Sequence, residues 1–66
     1  MSIYQEIVKT IAKDIQNGNL EKGSKLPSIR QISQTYGCSK YTARRALLEL
    51  QYQNYIYAVP KRGEYV

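Results

Sequence analysis

Apolar residues recur every fourth position early in the chain, at Ile3, Ile7, Ile11 and Ile15, with Val8 and Ala12 beside them. Glu6, Lys9, Lys13 and Asp14 take the opposite positions. This pattern predicts an amphipathic helix that buries its apolar face in a core. Ser2 can cap its start, and Asn17-Gly18 offers a left-handed stop. A connector with turn chemistry follows, Asn-Gly-Asn and then Lys-Gly-Ser, with Leu20 and Leu26 as apolar anchors. Leu26 precedes a proline, which pushes it toward extended backbone.

Ser28 opens a second helix through a capping box, with Gln31 three residues on. Ile29, Ile32 and Tyr36 form its apolar stripe, and Gly37 supplies a left-handed exit. A third helix, capped by Ser39, is expected to run to about Asn54. Ala43, Ala46, Leu47 and Leu50 share one of its faces, and Tyr41, Arg44 and Arg45 fall away from that face. The period then changes. Tyr55-Ile56-Tyr57-Ala58-Val59 favours a strand, Pro60-Lys61-Arg62-Gly63 a turn, and Glu64-Tyr65-Val66 a returning strand. Tyr36, Tyr52, Tyr55 and Tyr57 are expected at core edges, where an apolar ring and a wet hydroxyl both find a use. The predicted fold is mainly α with a small β-hairpin: a winged helix-turn-helix, three helices plus a wing, in one domain over residues 1–66.

The 66 residues allow one domain at most, with a modest core. Cys38 is the single cysteine and there is no histidine, so neither an intramolecular disulfide nor a zinc site is expected. Cys38 reads as a small hydrophobe in the turn. No run approaches the ~20 apolar residues of a membrane span, and no secretion signal is evident. A soluble, cytoplasmic protein without a membrane partner is the expectation.

The net charge of +5 is segregated. Up to residue 24, Lys9, Lys13 and Lys22 are cancelled by Glu6, Asp14 and Glu21. Beyond it stand Lys25, Arg30, Lys40, Arg44, Arg45, Lys61 and Arg62, against only Glu49 and Glu64. From Leu26 to Leu47 there is no carboxylate at all. Segregated positive charge points to a polyanionic partner.

Catalysis is not expected. The chain lacks histidine, clustered carboxylates and a phosphate-cradling glycine loop, and Cys38 has no base partner. A helix-turn-helix whose second helix opens on a basic stretch without carboxylates is instead a common way to present a helix to the DNA major groove. Ser39, Lys40 and Tyr41 lie at the N-terminal end of that helix, the end that usually meets base edges. Arg44, one turn on, can reach a guanine edge with two hydrogen bonds, and Arg45 points elsewhere, toward a phosphate. Arg30 is unfavourable beside the dipole of the helix it begins, which argues for a phosphate or base contact. Lys61, Arg62 and Gly63 form a wing tip suited to the backbone or the minor groove. Each cation, taken singly, could equally be a solvated surface charge; it is their grouping that favours function.

Two rival readings stay open. The basic face could meet an acidic protein, or the tyrosines and cations could bind RNA or single strands.

On these residues the chain resembles the DNA-binding domain of the GntR family of bacterial transcription regulators. The resemblance covers essentially the whole sequence. It rests on helix one, the Gly18…Leu20…Gly23 spacing, Leu26-Pro27-Ser28-Ile29-Arg30, the run from Gly37 to Leu47, and the closing Gly63-Glu64-Tyr65-Val66. It implies that Arg30 reads a base from helix two. It likewise implies that Ser39, Lys40, Tyr41, Thr42 and Arg44 make the recognition-helix contacts, and that Arg62-Gly63 enters the minor groove. Ser28 and Lys25 complete the candidate DNA-binding residues, Lys25 through sequence-independent phosphate attraction. Two positions depart from the family pattern: Lys40 stands where Arg is frequent, and Tyr41 is bulky where small polar residues are common.

Family members carry a C-terminal domain that binds an effector and dimerises. The resemblance therefore implies double-stranded operator DNA as the partner, a homodimer for the full-length protein and a monomer for this domain alone. No cofactor is expected in this chain. The wing is also similar to the ending of the MocR-type branch, which would imply pyridoxal phosphate in a further domain; on another branch of the family the same wing would imply a small-molecule sensing domain instead.

Overall fold

Ser2 and Gln5 start the first helix by exchanging hydrogen bonds. The Gln5 amide donates to Ser2 Oγ at 3.3 Å, and the Ser2 amide donates to Gln5 Oε1 at 3.1 Å. The computed structural model describes residues 2–66. Helix α1 spans Ile3–Gln16, with Asn17 as its cap and Gly18 beyond it at φ +82°. Its isoleucines are not equivalent. Ile7 and Ile11 are buried, Ile15 is half-buried and Ile3 is 42% exposed. A four-residue spacing drifts around a helix by about 40° per step, so only the middle of the series faces the core.

Helix α2 spans Ile29–Tyr36 and opens on the expected capping box. The Gln31 amide donates to Ser28 Oγ at 3.2 Å, and the Ser28 amide to Gln31 Oε1 at 2.8 Å. Gly37 ends it in the left-handed region, φ 65° and ψ 40°. Helix α3 spans Lys40–Tyr52. It stops two residues short of Asn54, which takes φ 66° and turns the chain out of the helix. Strands β1, Tyr57–Val59, and β2, Gly63–Tyr65, pair antiparallel in the register Tyr57↔Tyr65, Ala58↔Glu64 and Val59↔Gly63.

Helix α3 packs against both α1 and α2. Ala43, Ala46, Leu47 and Leu50 meet Ile7, Ile11, Leu26, Ile32 and Ile56 in one core. Ala43 and Ala46 matter for their small size, since they let neighbouring helices approach α3 closely. Cys38 is free, half-buried and packed at the core edge, as a small hydrophobe would be.

The connector before α2 adds a third edge to the hairpin. Lys25 forms an antiparallel bridge with Tyr65. The Leu26 amide donates to Glu64 O at 2.9 Å, and the Val66 amide donates to Ser24 O at 2.9 Å. The extended backbone expected at Leu26 is thus present, and its partner is the wing. Two tyrosine placements differ from expectation. Tyr36 and Tyr55 lie at the core edge, but Tyr52 is 84% exposed and Tyr57 is 53% exposed. Tyr52 is the last residue of α3, on the face away from the core, and Tyr57 stacks on Tyr65 across the hairpin, with ring centroids 5.9 Å apart.

Candidate nucleic-acid interface

Helix α3 begins with its hydroxyls already engaged. Ser39 Oγ accepts from the Thr42 amide at 3.1 Å and donates to Thr42 Oγ1 at 3.0 Å. Ser39 therefore acts first as the helix cap and has only acceptor capacity left for a partner, while Thr42 keeps its own hydroxyl donor free. Lys40 and Tyr41 project from the first turn into solvent, Tyr41 at 74% exposure.

The helical period spreads the next residues around Tyr41. Arg44 lies about 60° to one side of it and Arg45 about 40° to the other. Their surroundings differ accordingly. Arg44 is exposed at the mouth of a cleft shared with Ile29, Leu47, Ala58 and Glu64, between α3 and the wing. Arg45 turns toward α1, its guanidinium carbon 4.2 Å from the centroid of the Tyr4 ring. Composition alone did not reveal Glu64 as the acid nearest to Arg44's cleft, nor Tyr4 as a partner of Arg45.

Arg30 is exposed in the first turn of α2. Ser28 is exposed too, although its hydroxyl serves the capping box. Ser28 and Lys25 line one shallow groove with Gln31 and Thr35. Lys25 also reaches the wing, since a Cβ built on Gly63 would stand 3.1 Å from Lys25 Cε. Gly63 has φ +120°, so the backbone favours glycine there, while the space around it is limited only by the flexible end of Lys25.

At the wing tip the Arg62 amide donates to Val59 O at 3.0 Å. Pro60 comes first and Lys61 follows at φ 64°, the arrangement of a type II turn. Lys61 and Arg62 are both exposed. The structure thus joins Arg44, the wing and Lys25 through direct neighbours, and sends Arg45 to the opposite flank of α3. Among the described residues no His, Cys, Asp or Glu cluster suited to a metal is found. No helix among the described residues is long and apolar enough to cross a membrane.

The family model for bacterial regulatory proteins of the gntR family matches residues 3–66. The chain belongs to this family. Its fold, three helices with an antiparallel hairpin, is the winged-helix DNA-binding domain of GntR-type regulators. Over 66 residues it is 42% identical to the uncharacterized HTH-type transcriptional regulator YcxD of Bacillus subtilis, covering 100% of this chain and 15% of that protein. It is 34% identical to the HTH-type transcriptional repressor NagR of the same organism, covering 97% of this chain and 26% of the repressor. The GntR-type chain therefore spans between about a seventh and a quarter of these relatives. Among solved structures, the AraR DNA-binding domain in complex with operator ORX1 superposes with a TM-score of 0.95 at 27% identity, covering 100% of this chain and 80% of that one. A GntR family transcriptional regulator from Listeria monocytogenes superposes at 0.93 with 35% identity, covering 100% and 58%.

Proposed function

We propose that this GntR-type domain reads a short operator in double-stranded DNA, with α3 in the major groove and the wing tip at the adjacent minor groove. The observation that carries the reading is the outer face of the first half of α3: Lys40, Tyr41, Arg44 and Arg45 are exposed, no carboxylate stands among them, and a basic wing tip flanks one side. Arg44 and Arg30 are assigned to base edges, where a guanidinium can make two parallel hydrogen bonds. Lys40 and Tyr41 meet the same groove from the first turn of α3. Lys25, Lys61 and Arg62 attract phosphates irrespective of sequence, and Gly63 lets the wing backbone come close. The AraR DNA-binding domain, solved in complex with operator, and the repressor name of NagR support DNA as the partner.

One such module makes a small interface, so tight binding requires a second copy on a second half-site. Dimerisation and effector sensing belong, in this reading, to a further domain of the full-length regulator, which works in the cytoplasm. A pyridoxal phosphate of the MocR kind would belong to that further domain, and no residue of this chain is assigned to it. No catalytic role is assigned to this chain either.

A titration with a duplex and with its separated strands, at low and at moderate salt, tests the reading. The duplex is expected to bind more tightly, with affinity falling steeply as salt rises. A preference for single strands would move the function to the exposed tyrosines Tyr41, Tyr52 and Tyr57. No duplex binding even at low salt would leave a protein partner as the better explanation for the basic face.

A further inference from the structure

The flank of α3 away from the wing holds an arrangement that operator reading by Arg44 does not use. Tyr4 is half-buried and packs against the core, so its ring is a fixed platform. Arg45 lies over that ring at 4.2 Å and is otherwise exposed. A cation over a ring is held through its face, which leaves the N–H donors around the guanidinium edge available. A carboxylate partner would occupy those same donors. Glu49, one turn on from Arg45, has the spacing for such a pair. Its Oε2 instead accepts from Gln53 Nε2 at 2.7 Å.

We propose that Tyr4 is a positioning residue that holds the Arg45 guanidinium edge-outward as a phosphate clamp, on the side of α3 opposite the wing. The inference rests on the DNA-binding reading above and adds to it a second anchor for the duplex backbone. With the wing on one flank and Tyr4–Arg45 on the other, α3 is braced from both sides, which fixes its angle in the groove. An unheld arginine gives up rotamer freedom on meeting a phosphate, and one already stacked gives up less.

The test is a double-mutant cycle read by duplex affinity over a salt series, using random-sequence duplex as the probe. Arg45→Ala is expected to lower the salt slope by about 0.9, the signature of one lost phosphate contact. Tyr4→Leu is expected to weaken binding about 2- to 5-fold, and Tyr4→Phe to leave it unchanged, because the ring and not the hydroxyl does the holding. In the Arg45→Ala background, Tyr4→Leu should have no further effect. A loss of equal size in both backgrounds would make Tyr4 a packing residue only and overturn the proposal, as would unchanged binding of Tyr4→Leu alone. Should Tyr4→Leu melt before it can be titrated, Arg45→Lys carries the test. It keeps the charge but loses the planar stack, so a several-fold loss supports the clamp and full affinity overturns it. If the unmodified chain binds no duplex, the operator reading fails and the clamp with it; normal binding with additive variants removes the clamp alone.

Discussion

Arg44 and Arg45 are neighbours in sequence, yet a helix sends them about 100° apart, into different surroundings. Arg44 opens toward the wing cleft and Arg45 lies on Tyr4. Arg44→Ala, and Arg30→Ala on α2, should each cost about 1–3 kcal/mol on operator and little on random duplex. Equal losses on both, measured by competition binding, would reduce them to phosphate contacts. Lys61 poses a different question, because a lysine at φ 64° is held where glycine or asparagine is more at ease. Lys61→Gly relieves about 1 kcal/mol of strain, against about 0.4–1 kcal/mol of added chain freedom in the unfolded state. Its melting temperature should therefore stay level or rise slightly. Duplex affinity should fall all the same, with the salt slope flatter by about 0.9. A lower melt with unchanged binding would mean that Lys61 serves the turn and not the DNA. The outward placement of Tyr41, Arg44 and Arg45 was legible in the sequence, because the helical period alone decides it. The exposure of Tyr52 and Tyr57 was not, since it depends on which other elements cover those positions.

Among the elements, those governed by near neighbours read most clearly. The capping box at Ser28 and Gln31 and the left-handed exit at Gly37 are local chemistry, and both appear where the residues place them. The end of α3 was read two residues too far because Asn54 continues a polar pattern while its backbone has already turned left-handed. The bridge from Lys25 to Tyr65 joins segments far apart in the chain. Sequence marked both as extended, but nothing local named them as partners. That bridge ties the wing to the connector before α2, so the wing is part of the body and not a free hairpin. The rotation of α3 can be checked with a matched pair of charges. Ala46 is fully buried and Leu48 is 50% exposed. Ala46→Glu should unfold the domain, because an unpaired buried carboxylate costs several kcal/mol and a domain this small has only about 3–5 kcal/mol to lose. Leu48→Glu should melt near the unmodified temperature. Circular dichroism melts decide it, and a normal melt for Ala46→Glu would show that α3 is turned from this assignment.

At the scale of the whole molecule, size sets what one copy can do. The domain measures 27 × 26 × 20 Å, while the major groove of B-DNA is about 12 Å wide. One copy can therefore place α3 in a single groove and touch the backbone on either side, but it cannot reach the next major groove, about 34 Å along the duplex. The excess positive charge is shared between α3, the wing, the start of α2 and the connector before it. It supplies attraction that any duplex satisfies, and specificity has to come from the few side chains at base edges. Weak, salt-sensitive binding by one copy is the physical consequence. Two copies joined by a linker long enough to reach neighbouring half-sites should behave differently. On a duplex with two operator half-sites, the joined protein should bind about 100-fold or more tighter than one copy, because the second contact becomes intramolecular. On a duplex with a single half-site the gain should largely vanish. Equal affinity for the two duplexes would mean that a single copy already makes every contact the operator offers, and the case for a dimeric reader would fall while the case for DNA binding stood.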